Sequence, residues 1–192
     1  LILYLCTLAN NLSAAHDSMM YLNGIVGNIE LDFHPHHLLY HVLVKAWVNG
    51  LSNLGWTDPL RAAESLNALA GAALLFSFFR LLRDRLQIAT QTALATAAMA
   101  GFSYGVWGYS VLLEVYMIPL WLIFQALYHL SAEETAHWKK ALVYHILATL
   151  FHQMHLLLLV AAMWRYRRHR SLLLRYLLFW GLGVGGVYLI VL

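Results

Sequence analysis

The amino-acid sequence predicts an all-α membrane protein, a multi-pass bundle of transmembrane helices. Three observations carry that reading. Hydrophobic residues fill 61% of the 192 positions and charged residues only 11%, whereas a soluble domain carries about a quarter charged residues. Apolar runs recur along the chain at roughly the twenty residues needed to cross a hydrocarbon core of about 30 Å. These runs are continuous and rich in Leu and Ala rather than alternating, so helices and not barrel strands are the spanning elements. Together they predict about seven membrane helices, with a juxtamembrane helix in the first external loop. The chain opens and closes inside apolar runs, so residues 1–192 are expected to be a single transmembrane module truncated at both ends. The first run lacks the basic flank and small-residue cleavage site of a signal peptide. Cys6 is the only cysteine, which excludes an internal disulfide.

The elements follow in order. The first apolar run is Leu1–Ala15. Next comes "AAHDSMMYLNGIVGNIELDFHPHHLLYH", Ala14 to His41, which collects three acids and five histidines in a chain poor in charge. From His37 the pattern becomes helical: His37, His41, Lys45 and Asn49 recur every four residues, so the four polar groups share one face of an amphipathic helix. That helix either crosses the membrane against other helices or lies along its surface. "GWTDP" is a turn, with Thr57 or Asp58 as a cap and Pro59 in the first turn of the next helix. Leu60–Leu82 is a span that ends in "RLLRDR", and Gln87–Trp107 is the next. Val115–Leu130 follows, with a kink expected at Pro119. Ala141–Trp164 is apolar but interrupted by "FHQMH", and Leu172–Leu192 is a last run whose glycines permit close packing.

Charge placement orients these segments. Short cytoplasmic loops are enriched in Lys and Arg, so Arg80/Arg83/Arg85, Lys139/Lys140 and Arg165/Arg167/Arg168/Arg170 are expected on one side. Ala141–Trp164 then begins and ends on that side and must be a hairpin of two short helices turning near His152–His155. Asp17, Glu30, Asp32, His34, His36, His37, Glu114, His152 and His155 consequently face the opposite, external side.

The order and spacing of these residues resemble the GT-C superfamily of membrane glycosyltransferases, most closely the branch related to protein O-mannosyltransferases. Its members carry an acid in the first external loop, and "HDS" at His16–Ser18 matches that place. An "HPP"-type turn often opens a juxtamembrane helix there, and "HPHHLLY" from His34 is similar, with His36 and His37 standing where the family has its second Pro and a Gly. Arg61 fits the Arg that opens the next span. "WGYSVLLEVY", Trp107 to Tyr116, resembles the branch's W-x6-E-V-Y motif, and "FHQMHLLLL" resembles its short helix pair with a polar turn.

The resemblance implies a polyprenyl-phosphate-linked sugar donor, a protein or lipid acceptor, and transfer with inversion at the outer or lumenal face of a bacterial inner membrane or an endoplasmic reticulum membrane. A hydroxyl is a weak nucleophile, so a carboxylate must take its proton as the bond forms; Asp17 is the candidate base. The leaving lipid phosphate needs cations or hydrogen-bond donors, for which His34, His36, Lys45 and Arg61 are candidates. Glu114 orients the acceptor, holds a histidine or binds a metal. His16, Tyr116, His152 and His155 complete the candidate substrate and lipid-phosphate contacts. No cofactor is required with certainty, and a divalent metal ion stays open.

Plainer readings stand beside these. Asp17 can act only as a helix cap, while His37 and His41 can simply be the polar side of a surface helix. His129, His137 and His169 read as interfacial, and His145 as a packed, hydrogen-bonded residue. The rival functions are a histidine-box metal oxidase of the desaturase or hydroxylase kind, because "HPHH" and "HQMH" are loosely similar to iron-binding boxes, and a transporter, for which intramembrane His and Glu are normal. Membrane lipids are expected partners. Nucleic acid is not, since the Arg run lies between apolar spans.

Overall fold

The computed structural model describes residues 1–10, 16–27, 33–132 and 135–191, apart from the side chain of His16. It is all-helical: α1 (Ile2–Cys6), α2 (His16–Ile25), α3 (Tyr40–Asn53), α4 (Pro59–Arg80) running into a π turn (Leu81–Arg85), α5 (Thr90–Gly101), α6 (Tyr104–Val111), α7 (Met117–Leu130), α8 (Trp138–Phe151), a 3-10 turn (Gln153–Leu157), α9 (Leu158–Tyr166) and α10 (Arg170–Val191). Among the described residues two helices are long and apolar enough to cross a membrane, Pro59–Arg85 and Arg170–Val191, and Met117–Leu130 is a shorter apolar helix.

Several runs that read as single spans are broken for local reasons. Within the first run only Ile2–Cys6 is helical among the described residues. Gln87–Trp107 divides after Gly101, because Ser103 ends one helix and starts the next: its hydroxyl donates to the Ala100 carbonyl (2.6 Å) and accepts from the Val106 N–H (3.5 Å). Pro119 makes no kink. It is the third residue of α7, where an N–H would have no carbonyl one turn earlier to bond. At the start of α4 the expected cap is present, the Asp58 carboxylate accepting from the Arg61 N–H at 3.1 Å with Pro59 in the first position.

The amphipathic helix forms as α3, but of its polar stripe only Asn49 is exposed. His41 is buried, and the Tyr21 ring of α2 stands edge-on to both His37 and His41, at 5.8 and 5.3 Å. The apolar Val42 and Leu43 point outward instead. A helix that hides imidazoles and exposes aliphatic groups suits an apolar surrounding.

The core lies between α3, α4, α7 and α8, around Tyr40, Val44, Ala62, Ala63, Leu113 and Val115. The buried side of α4 is built of small residues, Ala62, Ala63, Ser65, Ala68, Ala70 and Gly71, which let neighbouring backbones approach. A second cluster joins the ends of α7, α8, α9 and α10 through Leu130, Ala141, Tyr166 and Tyr176. Helix α8 rises, the chain turns at Gln153–Leu157, and α9 runs back packed against α7 and α10, the reversal that charge placement required. The His145 ring spans from Tyr176 Oη (3.1 Å) to the His155 carbonyl (3.1 Å), which ties the hairpin to α10.

All three basic clusters gather at one end. The Arg80 and Arg85 guanidiniums lie 4.5 and 4.2 Å from the centre of the Tyr128 ring of α7. Arg165 donates to the Leu130 and Ala132 carbonyls at 2.9 and 2.6 Å, beyond the last turn of α7. Glu114 and the His152 turn lie at the other ends of α7 and α8.

Close packing at Gly71 gives a direct test. An added Cβ there would sit 2.8 Å from Ser110 Cβ and 3.3 Å from the Tyr4 ring, whereas one at Gly185 meets nothing within 4 Å. Gly71→Ala should therefore destabilise the chain by about 1–3 kcal/mol, read as a lower thermal midpoint in detergent, and Gly185→Ala should not.

Candidate active site

The link between α6 and α7 is non-helical, and it carries Glu114. Helix formation stops there, which frees backbone carbonyls that must find donors. Asn67 of α4 supplies them: its Nδ2 donates to the Leu112 carbonyl (2.8 Å) and the Glu114 carbonyl (2.7 Å). Ser18 approaches from α2, donating its hydroxyl to the Leu113 carbonyl (2.8 Å) and to Glu114 Oε1 (3.3 Å). Asp17, one residue earlier, lies in the first turn of α2, where the positive end of the helix dipole favours a carboxylate.

The two acids separated by almost the whole of α2 to α6 thereby line one open cavity of about 350 Å³, together with Tyr109, Tyr116 and the glycines Gly105 and Gly108. Asp17 is exposed while Glu114 is buried. Burial pushes the Glu114 carboxyl above its ordinary range, the Asp17 charge adds to this, and the Ser18 hydrogen bond opposes it. Two carboxyl groups in unlike environments are suited to unlike tasks. The exposed one is open to an incoming molecule, and the buried one can hold a hydroxyl.

A histidine cluster adjoins this cavity. The Tyr116 ring lies 5.5 Å from that of His152, which is 5.5 Å from His37, and His37 stacks on His34 at 4.7 Å. The turn at His34–His37 is docked on the hairpin: the Gln153 N–H donates to the His36 carbonyl (3.2 Å), the Gln153 amide bonds His36 Nδ1, and the Tyr188 hydroxyl of α10 donates to the Pro35 carbonyl (2.6 Å). Burial holds His34 and His152 below the usual imidazole range and His37 and His155 down to about 4. At neutral pH these rings are uncharged, so they offer hydrogen bonds rather than positive charge. Among the described residues no group of three or more His, Cys, Asp or Glu is disposed to hold a metal ion.

On the far side of His152 lies an apolar groove of about 650 Å³ between the hairpin and α10, lined by Leu156, Leu157, Trp180, Val184 and Tyr188. The Trp180 indole N–H is buried without a hydrogen-bond partner. His152 is common to the groove and to the ring contact with Tyr116, so it stands between the acid cavity and the groove.

The other expected residues fall elsewhere. Lys45 lines a separate cavity with Asn49, Ser52, Trp56 and Thr57. Arg61 is exposed and 3.7 Å from Asp58 in an ion pair. Neither lines the Asp17 cavity. The side chain of His16, and Glu30 and Asp32, lie outside the described residues. Comparison with known protein families, with curated proteins and with solved structures finds no match.

Sequence reasoning passed over Glu64. It is fully buried in α4, and both its oxygens accept from the Asn10 N–H, at 3.1 and 3.2 Å. The Ala9 N–H is held by the Val111 carbonyl at 2.9 Å. These bonds anchor the chain just before the segment that leads to Asp17. The signal was present: an acid inside the apolar run "LRAAESLNALAG" is rarely idle.

Two outcomes follow. Glu64→Leu leaves the Asn10 N–H without its acceptor and should cost about 1–3 kcal/mol of stability, while Glu64→Gln, which keeps an oxygen there, should lose less; thermal unfolding measures both. Between pH 6.5, the ordinary imidazole value, and about 4, the unfolded chain binds more protons at His37 and His155 than the folded one. The thermal midpoint should thus fall as pH drops through that window, and a His37→Gln/His155→Gln double variant should show a shallower fall.

Proposed function

We propose that this chain is the catalytic membrane module of a GT-C-like glycosyltransferase that moves a sugar from a polyprenyl-phosphate donor to a protein or lipid acceptor. In this reading the shorter helices join Pro59–Arg85 and Arg170–Val191 in a multi-pass bundle of about seven membrane helices. The acid cavity faces the outer or lumenal side of a bacterial inner membrane or an endoplasmic reticulum membrane. The basic clusters at the opposite end support that orientation.

One observation carries the proposal: a polar cavity with two carboxyl groups adjoins, across Tyr116 and His152, an apolar groove beside a membrane-length helix. A lipid-linked sugar has the same division, with a polar head to be processed and a hydrocarbon tail to be housed. The acceptor hydroxyl enters beside Asp17, whose carboxylate takes its proton as the acceptor oxygen bonds to the anomeric carbon. The bond from that carbon to the phosphate oxygen breaks on the opposite face, the electron pair leaves with the phosphate, and the anomeric configuration inverts. Glu114 holds a substrate hydroxyl. In this reading Tyr116, His152 and His34 donate hydrogen bonds to the leaving phosphate. No step is routed through a metal, because the described donors do not form a ligand set.

The test uses the full-length protein in lipid nanodiscs with a panel of radiolabelled polyprenyl-phosphate sugars, following release of polyprenyl phosphate. Asp17→Asn should lower turnover by about 10²-fold or more and leave donor binding unchanged. Wild-type turnover in that variant removes Asp17 from the mechanism, and a wild-type protein that consumes none of the donors sinks the proposal.

A further inference from the structure

The end of the molecule away from the acid cavity holds a second cavity, of about 570 Å³, lined by Thr135, Trp138, Arg168, His169, Arg170 and Ser171 among others. We propose that it binds the phosphate of an anionic phospholipid. This assignment is independent of the transferase reading.

Three features converge on that chemistry. Arg168 and Arg170 are exposed, and neither guanidinium has a hydrogen bond or ion pair among the described residues. That distinguishes them from Arg83, which is 2.7 Å from Asp84, and from Arg165, which is spent on the carbonyls of Leu130 and Ala132. A guanidinium with free donors matches phosphate oxygens in geometry as well as charge. Two helices also begin at this cavity, α8 at Trp138 and α10 at Arg170, and α8 has no side-chain cap. Their first-turn N–H groups and dipole ends add to the same positive field. The nearest acids in sequence, Glu133 and Glu134, lie outside the described residues.

The surroundings select a lipid rather than a soluble phosphate ester. Helix α10 runs away from the cavity with a membrane-length apolar surface of which almost none is covered: only 6% of its most apolar stretch is buried. Leu174, Leu178, Phe179 and Leu182 are all exposed along it. The Trp138 ring, 6.3 Å from Phe179, marks the level where the polar pocket meets this apolar face. A phospholipid laid against α10 puts its chains on those residues and its phosphate between Arg168 and Arg170. Basic pockets between membrane helices hold anionic headgroups by this combination.

Native mass spectrometry of the delipidated full chain tests it by titration with dioleoyl phosphatidylglycerol, with dioleoyl phosphatidylcholine, and with soluble glycerol phosphate. Phosphatidylglycerol should bind more tightly than phosphatidylcholine, and R168Q/R170Q should weaken it by about tenfold or more. The R83Q variant, at the same end but altering an arginine already paired with Asp84, should bind as the wild type does. Circular dichroism of R168Q/R170Q should match the wild type, since both side chains are exposed. Equal binding of the two lipids, or undiminished phosphatidylglycerol binding by R168Q/R170Q, overturns the proposal. Glycerol phosphate binding as tightly as phosphatidylglycerol overturns the lipid assignment and leaves a phosphate-ester site.

Discussion

The amide of Asn67 is the contact on which the rest of the arrangement depends. It lies fully buried in α4 and donates to two carbonyls, those of Leu112 and Glu114, that the break between α6 and α7 sets free. In an apolar surrounding such carbonyls are costly without donors, so a non-helical stretch between helices persists only where something satisfies it. Asn67 meets that requirement with one side chain. It thereby fixes where α7 begins and directs the Glu114 side chain into the cavity shared with Asp17.

From that clamp the end of the molecule that carries Asp17 and Glu114 is assembled by similar bonds. Ser18 ties α2 to the same non-helical stretch, and Glu64 ties residue Asn10 to α4. The His34–His37 turn is fastened to the hairpin by Gln153 and to α10 by Tyr188. Each is a long-range bond between a short irregular segment and a helix. The helices supply rigid positions, and the irregular segments supply the chemistry. Partial burial holds His34, His37 and His152 below the usual imidazole range, so these rings contribute packing and hydrogen bonds instead of charge.

The two ends of the molecule are electrically unlike. The three basic clusters collect at one end, where Asp84, backbone carbonyls and the Tyr128 ring engage some of them and two arginines stay open around a polar cavity. The other end holds Asp17, Glu114 and the His34–His37 and His152 imidazoles. Helix α8, at 14 residues, separates the ends by about 21 Å. An acidic cavity and a basic one held apart by apolar helices form a polarity that a membrane would read as orientation.

Composition and periodicity alone determined that the chain is all-α, where most helix signals begin, and that Ala141–Trp164 folds back on itself. These are consequences of local physics: apolar runs must hydrogen-bond internally, Asp58 and Pro59 form a favourable helix start ahead of an apolar run, and charge placement leaves few topologies. The resemblance of short motifs selected Asp17, Glu114, Tyr116 and His152, which the fold does bring close together. Tertiary structure alone decided the rest. The run Leu1–Ala15 looks like a whole span in sequence, yet among the described residues it does not form one helix, and its Asn10 is held by Glu64 of α4. Lys45 and Arg61 carry the right charge for a phosphate, but their helices aim them elsewhere. Glu64 and Asn67 are inconspicuous in a helical run. Their importance comes from partners 54 and 45–47 positions away, and no local pattern encodes a bond of that range.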